Sequence, residues 1–334
     1  MINSEITNNK PLVSIVIPML NEVEAIERCI LSILAQDYPG DKIEIVVVDG
    51  FSTDGSRERV NELSQQFNNI KLYDNEKKRT PVSLNIGARN ALGDVIIILG
   101  AHTRIEKSFV SNNIKYMNKM GVKCTGGTQK NVGDTYLQRA VGYGMGSVFG
   151  MPSAPYRFFP KNRFVDTVVY AAYHKDLFDE IGYFDEKLHI SEDAEFNWRI
   201  RQAGYKIYYS PEIVSFYYPR KNLKRLFRQF FNYGILRVNV IKKHFDAFKL
   251  IHALPPTFIL ATVGFLLASI SNSLFLMLAL ALIYIYVAYL FVGSLMTVLK
   301  INKLNYFPIL PFVFFTMQMS WGLGFLAGLF KTYK

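Results

Sequence analysis

Two short apolar runs, each closed by a polar turn, set the frame of this chain. Residues 12–18 read Leu-Val-Ser-Ile-Val-Ile-Pro and are followed by Asn21 and Glu22. Residues 43–48 read Ile-Glu-Ile-Val-Val-Val and stop at Asp49, opening into Gly50-Phe51-Ser52-Thr53-Asp54-Gly55-Ser56. Runs this rich in β-branched residues predict parallel strands covered on both faces. Between them Ala25, Ile26, Cys29, Ile30, Ile33 and Leu34 recur at helical spacing, and a second helix is predicted over residues 57–66. Strand, turn, helix repeated twice is a βαβ pattern with a right-handed crossover, so both polar turns fall on one sheet edge.

Ligands of open α/β sheets bind at the carboxyl ends of the strands, which is where Asp49 lies. A carboxylate there can accept from a base N–H or a ribose hydroxyl. A purely structural alternative is a strand-to-helix turn in which Asp54 or Ser52 caps the helix. No Gly-x-Gly-x-x-Gly follows either run, which disfavours a pyrophosphate on a glycine loop and favours a mononucleotide held by carboxylates. Further along, Ser83-Leu84-Asn85-Ile86-Gly87-Ala88-Arg89 precedes a third strand over residues 95–99, which ends in Gly100-Ala101-His102-Thr103, again at the ligand edge. Residues 189–201 place Glu192 and Asp193 at the start of a helix. Helix N-termini stabilise carboxylates, so capping accounts for part of that cluster. A general base at a loop-to-helix junction accounts for it equally well.

From residue 250 the pattern changes to hydrocarbon. Spans at approximately 250–270, 274–299 and 306–330 hold no Asp, Glu, Lys or Arg, and each is near the ~20 residues that cross a bilayer core. Pro255-Pro256 weakens the first. Ahead of them Leu223, Leu226, Phe227, Phe230, Phe231, Gly234, Val238 and Ile241 form a helical stripe among Lys and Arg, the pattern of a helix lying in the membrane interface.

Charge follows the same division. The chain has 38 Lys and Arg against 27 Asp and Glu, and after Glu212 its one acidic residue is Asp246. The uncharged spans exclude nucleic acid as the first reading of the basic block, whose cations suit anionic headgroups, a lipid-linked phosphate or simple anchoring. Lys300 and Lys303 between the second and third spans place that link, with the basic block, on the cytoplasmic side. Two cysteines, Cys29 and Cys124, are ordinary for a reducing compartment. Met1 to Lys10 lacks an apolar signal region and is expected to be a disordered tail. The expected blocks are therefore this tail (1–10), an α/β domain (11–219), a basic interfacial helix (220–249) and a transmembrane region of about three helices (250–334). Between residues 126 and 160, Tyr143, Phe149, Met151, Pro152, Tyr156, Arg157, Phe158 and Phe159 either line an acceptor side near the membrane or pack a loop against the interfacial helix.

With these motifs in order, residues 11–243 resemble the family 2 glycosyltransferases, inverting enzymes of the GT-A nucleotide-sugar-binding fold, and in particular membrane-associated enzymes of exopolysaccharide assembly such as the succinoglycan type. The resemblance implies an α/β GT-A domain with a C-terminal α-helical transmembrane region in the cell (inner) membrane, its catalytic domain cytoplasmic. It implies that Pro18, Asn21, Glu22 and Asp49 hold the nucleoside, with Asn85 and Arg89 added to the nucleotide site. It places the catalytic base on Asp193 of the Glu192-Asp193 pair, and Arg228 of Arg228-Gln229-Phe230-Phe231-Asn232-Tyr233-Gly234 is the candidate cation beside the departing diphosphate.

The departures are specific. The family's Asp-x-Asp metal motif falls on Gly100-Ala101-His102, leaving His102 as the candidate ligand of a divalent cation or a hydrogen-bond donor to the diphosphate. Imidazole suits Mn²⁺ better than Mg²⁺. Gly50 replaces the family's second aspartate, the one after Asp49, and the Gln-x-x-Arg-Trp signature of processive synthases is absent. The expected activity is a hexosyltransferase-type transfer of one sugar from a nucleotide diphosphate sugar to a lipid-linked acceptor, with membrane lipids as further partners. The alternative is a membrane-tethered nucleotide-sugar-binding protein that has lost turnover.

Overall fold

In the computed structural model, which describes residues 10–152, 155–187, 192–243, 245 and 248–331, both apolar runs are strands, β1 (Val13–Met19) and β2 (Ile43–Asp49). They pair in parallel with Met19 opposite Asp49, so the turns carrying Asn21 and Ser52 leave the sheet side by side. Every residue of β2 is buried. That includes Glu44 near its amino end, which accepts from Lys71 Nζ at 2.7 Å and from the Leu92 amide at 2.8 Å. β2 thus has a carboxylate near each end: Glu44 is closed off by the fold, and Asp49 stands at the ligand edge.

Helix α1 (Ile26–Leu34) buries Ile26, Cys29, Ile30 and Ile33, four of the six predicted positions. With α2 (Ser56–Gln66), β3 (Ile70–Asp74), α3 (Thr80–Asn90) and β4 (Val95–Ile98) it completes four parallel strands in the order β3-β2-β1-β4. β1 shows why both sheet faces are covered. Ile15 and Ile17 join one core with Ile26, Ile30 and Val60, whereas Val16 faces α3, where a Cβ on Gly87 would stand 2.2 Å from its Cγ1. Only glycine allows α3 this close.

The sheet continues through strands the sequence reading left unassigned: β5 (Thr103–Ile105), β6 (Cys124–Asn131), β7 (Arg163–Val165), β8 (Val169–His174) and β9 (Ile207–Tyr217). β8 runs antiparallel to both β4 and β6. Helices α4 (Phe109–Met120), α5 (Tyr136–Met145), α6 (Asp176–Ile181) and α7 (Glu192–Gln202) lie among these strands in the chain. The predicted tail falls almost wholly on residues 1–9, and His189-Ile190-Ser191 of the carboxylate motif on 188–191; both lie outside the described residues.

The chain divides into two compact units that interleave in sequence. One comprises residues 1–128, 161–186 and 196–215, the other 129–160, 187–195 and 216–334. In the second, α5 packs with α8 (Leu223–Lys243), α10 (Ser273–Ile301) and α11 (Leu310–Phe330) around Val141, Leu226, Phe230, Leu290, Val313 and Phe314. Between α8 and α10 lies α9 (Leu254–Ala268), whose 15 residues rise about 22 Å and fall short of a bilayer core. Two helices, α10 and α11, are long and apolar enough to cross a membrane, where the sequence pattern predicts about three. Only 11% of the most apolar stretch of α10 is buried, unlike the core helix of a soluble domain.

The basic helix α8 meets α11 backbone to backbone. A Cβ on Gly234 would stand 2.3 Å from the Trp321 carbonyl oxygen, and one on Gly324 2.0 Å from that of Phe231. Lys242 Nζ donates to the carbonyls of Gly328 and Leu329 at 3.0 and 2.9 Å, capping the C-terminal end of α11. Gly234→Ala must push the helices apart and should lower stability by about 1–3 kcal/mol. Gly264→Ala on α9, where nothing lies within 4 Å, should be nearly neutral. Thermal unfolding of both variants in detergent measures the difference.

Candidate active site

The strand order reverses at β1: β2 and β3 lie to one side, β4 to the other. Such a switch point opens a crevice at the carboxyl ends of the strands it separates. Here those ends carry Asn21-Glu22 and Gly100-Ala101-His102, and His102 Nδ1 lies 3.2 Å from Glu22 Oε1. Neighbouring β1 and β2 turns are laced together. Asn21 Oδ1 accepts from the Thr53 amide at 2.9 Å, and the Asn21 and Glu22 amides donate to Ser52 Oγ and Ser56 Oγ. Asp54, one of the alternative helix caps, accepts from the Ser56 amide and hydroxyl and from the Val23 amide, while Gly55, with φ +95°, occupies the cap position of α2.

Asp49 is fully buried and accepts from Ser52 Oγ at 2.6 Å and from Arg57 Nη1 at 3.1 Å. The same Arg57 nitrogen reaches Asp74 at 2.6 Å, tying the ends of β2 and β3 through one cation. Neither Arg57 nor Asp74 was singled out by sequence reasoning; the only signal was a basic residue in the first turn of α2, where a negative one is favoured. Asn21 and Phe51 both adopt left-handed backbone, with φ +56° and +61°. For an aromatic residue this is strained, and strain of this kind clusters at ligand sites. Phe51 is also exposed, at 41%.

Asn85 and Arg89, the nucleotide-site candidates on α3, each have partners within the protein. The Asn85 side chain accepts from the Phe184 amide and donates to its carbonyl, both at 2.9 Å, and lies 3.2 Å from Glu186 Oε1. A nucleotide role for Asn85 therefore runs through the segment 184–186 that it fixes. Glu186 was missed from sequence; its hydrogen bond from Asn85, then that from Lys77, holds its carboxyl below the usual range. Arg89 is exposed and stacks on Tyr183 at 4.3 Å. Pro18 sits partly buried in β1, in register with Val48.

The Glu192-Asp193 pair belongs to the second unit. α7 opens on Glu192 and Asp193, and Asp193 Oδ1 accepts from the Ala194 amide at 2.7 Å, so capping is part of its geometry. Both residues are half-buried, and burial raises both carboxyls. Glu192 is pushed up to about 8 by burial and by the negative charge of Asp193, whereas Arg237 partly offsets the rise at Asp193. The next carboxylate, Glu195, is fully buried and paired with Lys243 Nζ at 3.0 Å, which ties the start of α7 to α8.

Arg228, the candidate cation beside the departing diphosphate, lies on α8 (Leu223–Lys243). It is exposed, while the arginine that acts on Asp193 is Arg237 on the same helix. Nine residues separate them, which at about 100° per residue puts them on opposite faces. The rest of the Arg228–Gly234 motif is structural: Gln229 Nε2 donates to the hydroxyls of Tyr217 and Tyr233 at 3.0 and 2.8 Å. Arg157 is held by Asn131 Oδ1 at 2.9 Å and lies over the rings of Tyr156 and Tyr217. Tyr156 in turn lies in the fields of Arg157, Asp193 and Arg237.

A fold with this switch point and these groups is the nucleotide-sugar fold of glycosyltransferases. It matches the mannosyltransferase PcManGT from Pyrobaculum calidifontis, solved in complex with GDP-Man and Mn²⁺, at a TM-score of 0.68 and 20% identity over 96% of this chain and 88% of that one. Residues 14–182 match the model of Glycosyl transferase family 2, and the chain belongs to that family. It is 30% identical over 96% of its length, and 97% of the relative's, to the dolichyl N-acetyl-alpha-D-glucosaminyl phosphate 3-beta-D-2,3-diacetamido-2,3-dideoxy-beta-D-glucuronosyltransferase of Methanococcus voltae. It is 28% identical over 73% of its length, and 74% of the relative's, to the succinoglycan biosynthesis protein ExoA of Rhizobium meliloti (strain 1021). The protein is an enzyme, a glycosyltransferase.

The raised Glu192 carboxyl carries a signature in stability. The native state keeps a proton that the unfolded chain releases near its ordinary value of 4.5, so stability falls as pH rises from about there to about 8 and levels off above. Glu192→Gln, which has no proton to lose, should flatten that slope in unfolding temperatures measured between pH 5 and 9.

Proposed function

We propose that the protein moves one sugar from a nucleoside diphosphate donor to a lipid-linked acceptor at the cytoplasmic face of the cell membrane, with inversion at the anomeric carbon. The observation that carries this reading is the Glu192-Asp193 pair with Arg237 acting on Asp193. Against the burial that raises both carboxyls, Arg237 favours the ionised form of Asp193, the form able to accept a proton, while the adjacent Glu192 holds its own at neutral pH. In a single displacement Asp193 takes the proton of the acceptor hydroxyl, and that oxygen forms a bond to the anomeric carbon. The bond from that carbon to the diphosphate breaks with its electrons leaving on the nucleotide. The β1 and β2 turns, through Asn21, Glu22 and Asp49, hold the nucleoside, with Pro18 setting the exit of β1 and Asn85 and Arg89 supporting from α3.

The lipid-linked acceptor is supported by the relative from Methanococcus voltae, whose name describes a dolichyl phosphate substrate. Membrane residence, with more than one crossing, is supported by α10 and α11 and by the Lys300 and Lys303 link. Asp193→Asn removes the proton acceptor and leaves the donor site. It should lower transfer more than 100-fold, within the range typical of a general base, while nucleoside diphosphate affinity by calorimetry stays within about twofold. Transfer within tenfold of the parent would sink the assignment.

A divalent cation fits this donor set in part. Among the described residues no group of three or more His, Cys, Asp and Glu side chains stands ready to hold a metal. The His102–Glu22 pair does have the carboxylate–imidazole arrangement that orients a metal-binding histidine: a proton on Nδ1 shared with Glu22 leaves the lone pair on Nε2. His102 would therefore hold the ion with Glu22 behind it, and the ion, when bound, would supply positive charge at the departing diphosphate. A nitrogen donor favours Mn²⁺ over Mg²⁺. Electron paramagnetic resonance titration of Mn²⁺ in the presence of a nucleoside diphosphate should show a site that excess Mg²⁺ displaces poorly. Second-shell losses reach 10–100-fold, so Glu22→Gln should weaken Mn²⁺ by about tenfold and His102→Ala by more. Unchanged Mn²⁺ binding in His102→Ala would overturn the ligand assignment.

A further inference from the structure

The second unit contains a cavity of about 330 Å³, lined by apolar side chains that include Phe149, Met151, Phe230, Phe258, Tyr289 and Trp321. Three features connect it to cations. Phe230 in its wall and Arg237 are seven residues apart on α8, and so share one face of that helix. His252, also in the wall, lies in the field of Arg237. Tyr156, four residues beyond Pro152 of the wall, has the Arg157 guanidinium 5.4 Å from its ring centroid and lies in the field of Arg237.

Both arginines are incompletely satisfied. Arg157 Nε and Arg237 Nε are buried and have no hydrogen-bond partner among the described residues. A buried guanidinium N–H without an acceptor is costly, and a site that supplies a phosphate oxygen removes that cost. An apolar cavity lined by Phe230, with Arg237 two turns further along the same face of α8, is the complement of an anionic head on a hydrocarbon chain. At about 330 Å³ the space is at the small end of ligand pockets, suited to the head-proximal part of one chain and not to two acyl chains.

We propose that this cavity is the seat of the acceptor's lipid: the first segment of a single hydrocarbon chain lies among Phe149, Phe258 and Trp321, and its phosphate meets Arg237 and Arg157. The proposal rests on the transferase reading above and extends it by assigning where the acceptor's lipid phosphate binds. Arg237 then has two roles, compensating Asp193 and orienting the acceptor phosphate beside that base. The lipid is recognised by its phosphate and its single chain, so the hydroxyl to be glycosylated can vary without altering the seat.

Trp321 in the cavity wall reports occupancy, and Trp198→Phe removes the other tryptophan. Titrating that full-length protein in detergent with farnesyl phosphate should give a saturable shift of Trp321 emission. Farnesol should bind about tenfold or more weaker, the worth of one charge-assisted hydrogen bond, and inorganic phosphate should give no shift. Arg237→Gln should abolish the preference for farnesyl phosphate over farnesol, and Arg237→Lys should restore part of it. Equal binding of farnesol, an unaltered preference in Arg237→Gln, or an equal shift with phosphatidic acid vesicles would overturn the proposal. Nucleoside diphosphate binding, followed by calorimetry on the same samples, separates the two levels. If it persists without farnesyl phosphate binding, the lipid seat fails alone, and if it is absent, the transferase reading fails with it.

Discussion

The reversal of strand order at β1 is the constraint from which the open polar edge of this enzyme's sheet follows. Parallel strands demand crossovers, and crossovers that leave β1 towards opposite sides of the sheet leave its carboxyl end uncovered by helix. Everything polar that the chain places there is then within reach of a ligand. The hydrogen bonds from Asn21 to Thr53 and from Asp49 to Ser52 turn that opening into a fixed surface. Arg57 extends it to β3. A buried Asp49 is tolerable only because these donors replace the water it lost.

Much of this part of the sheet was legible in the sequence because period and position are local. β-branched runs, a helix with apolar residues at Ile26, Cys29, Ile30 and Ile33, and an aspartate at the end of a buried strand are each readable over ten residues. The strands from β5 onward were not, because their pairing is antiparallel, short and dictated by partners distant in the chain. Gly126 and Gly127 of β6 illustrate the difficulty. They read as loop glycines, but a Cβ at either would collide with Val168 or Ile213. In β6 they are close-approach residues, and no local pattern distinguishes the two cases.

The Glu192-Asp193 pair was visible in the sequence, but the arginine that acts on Asp193 was not. Choosing between Arg228 and Arg237 needs the rotation of α8 about its own axis, and that is fixed by where Gly234 admits α11. A motif containing Arg, Gln, Tyr and Gly reads as chemistry. In three dimensions its Gln229 and Tyr233 hold each other, its glycine admits a helix, and its arginine faces outward.

The glycine contact between α8 and α11 also alters what an anchor is in this protein. A hydrophobic segment that only tethers a domain is interchangeable with any other of the same length, since lipid reads little beyond hydrophobicity and span. α11 is instead read by α8, atom against atom, at Gly234, Gly324 and Gly328, and by Lys242 at its end. The residues of α11 that face away from α8 are free to drift, whereas those that face α8 are constrained as tightly as a soluble core. Any force that shifts or tilts α11 therefore has a mechanical route to the helix that carries Arg237.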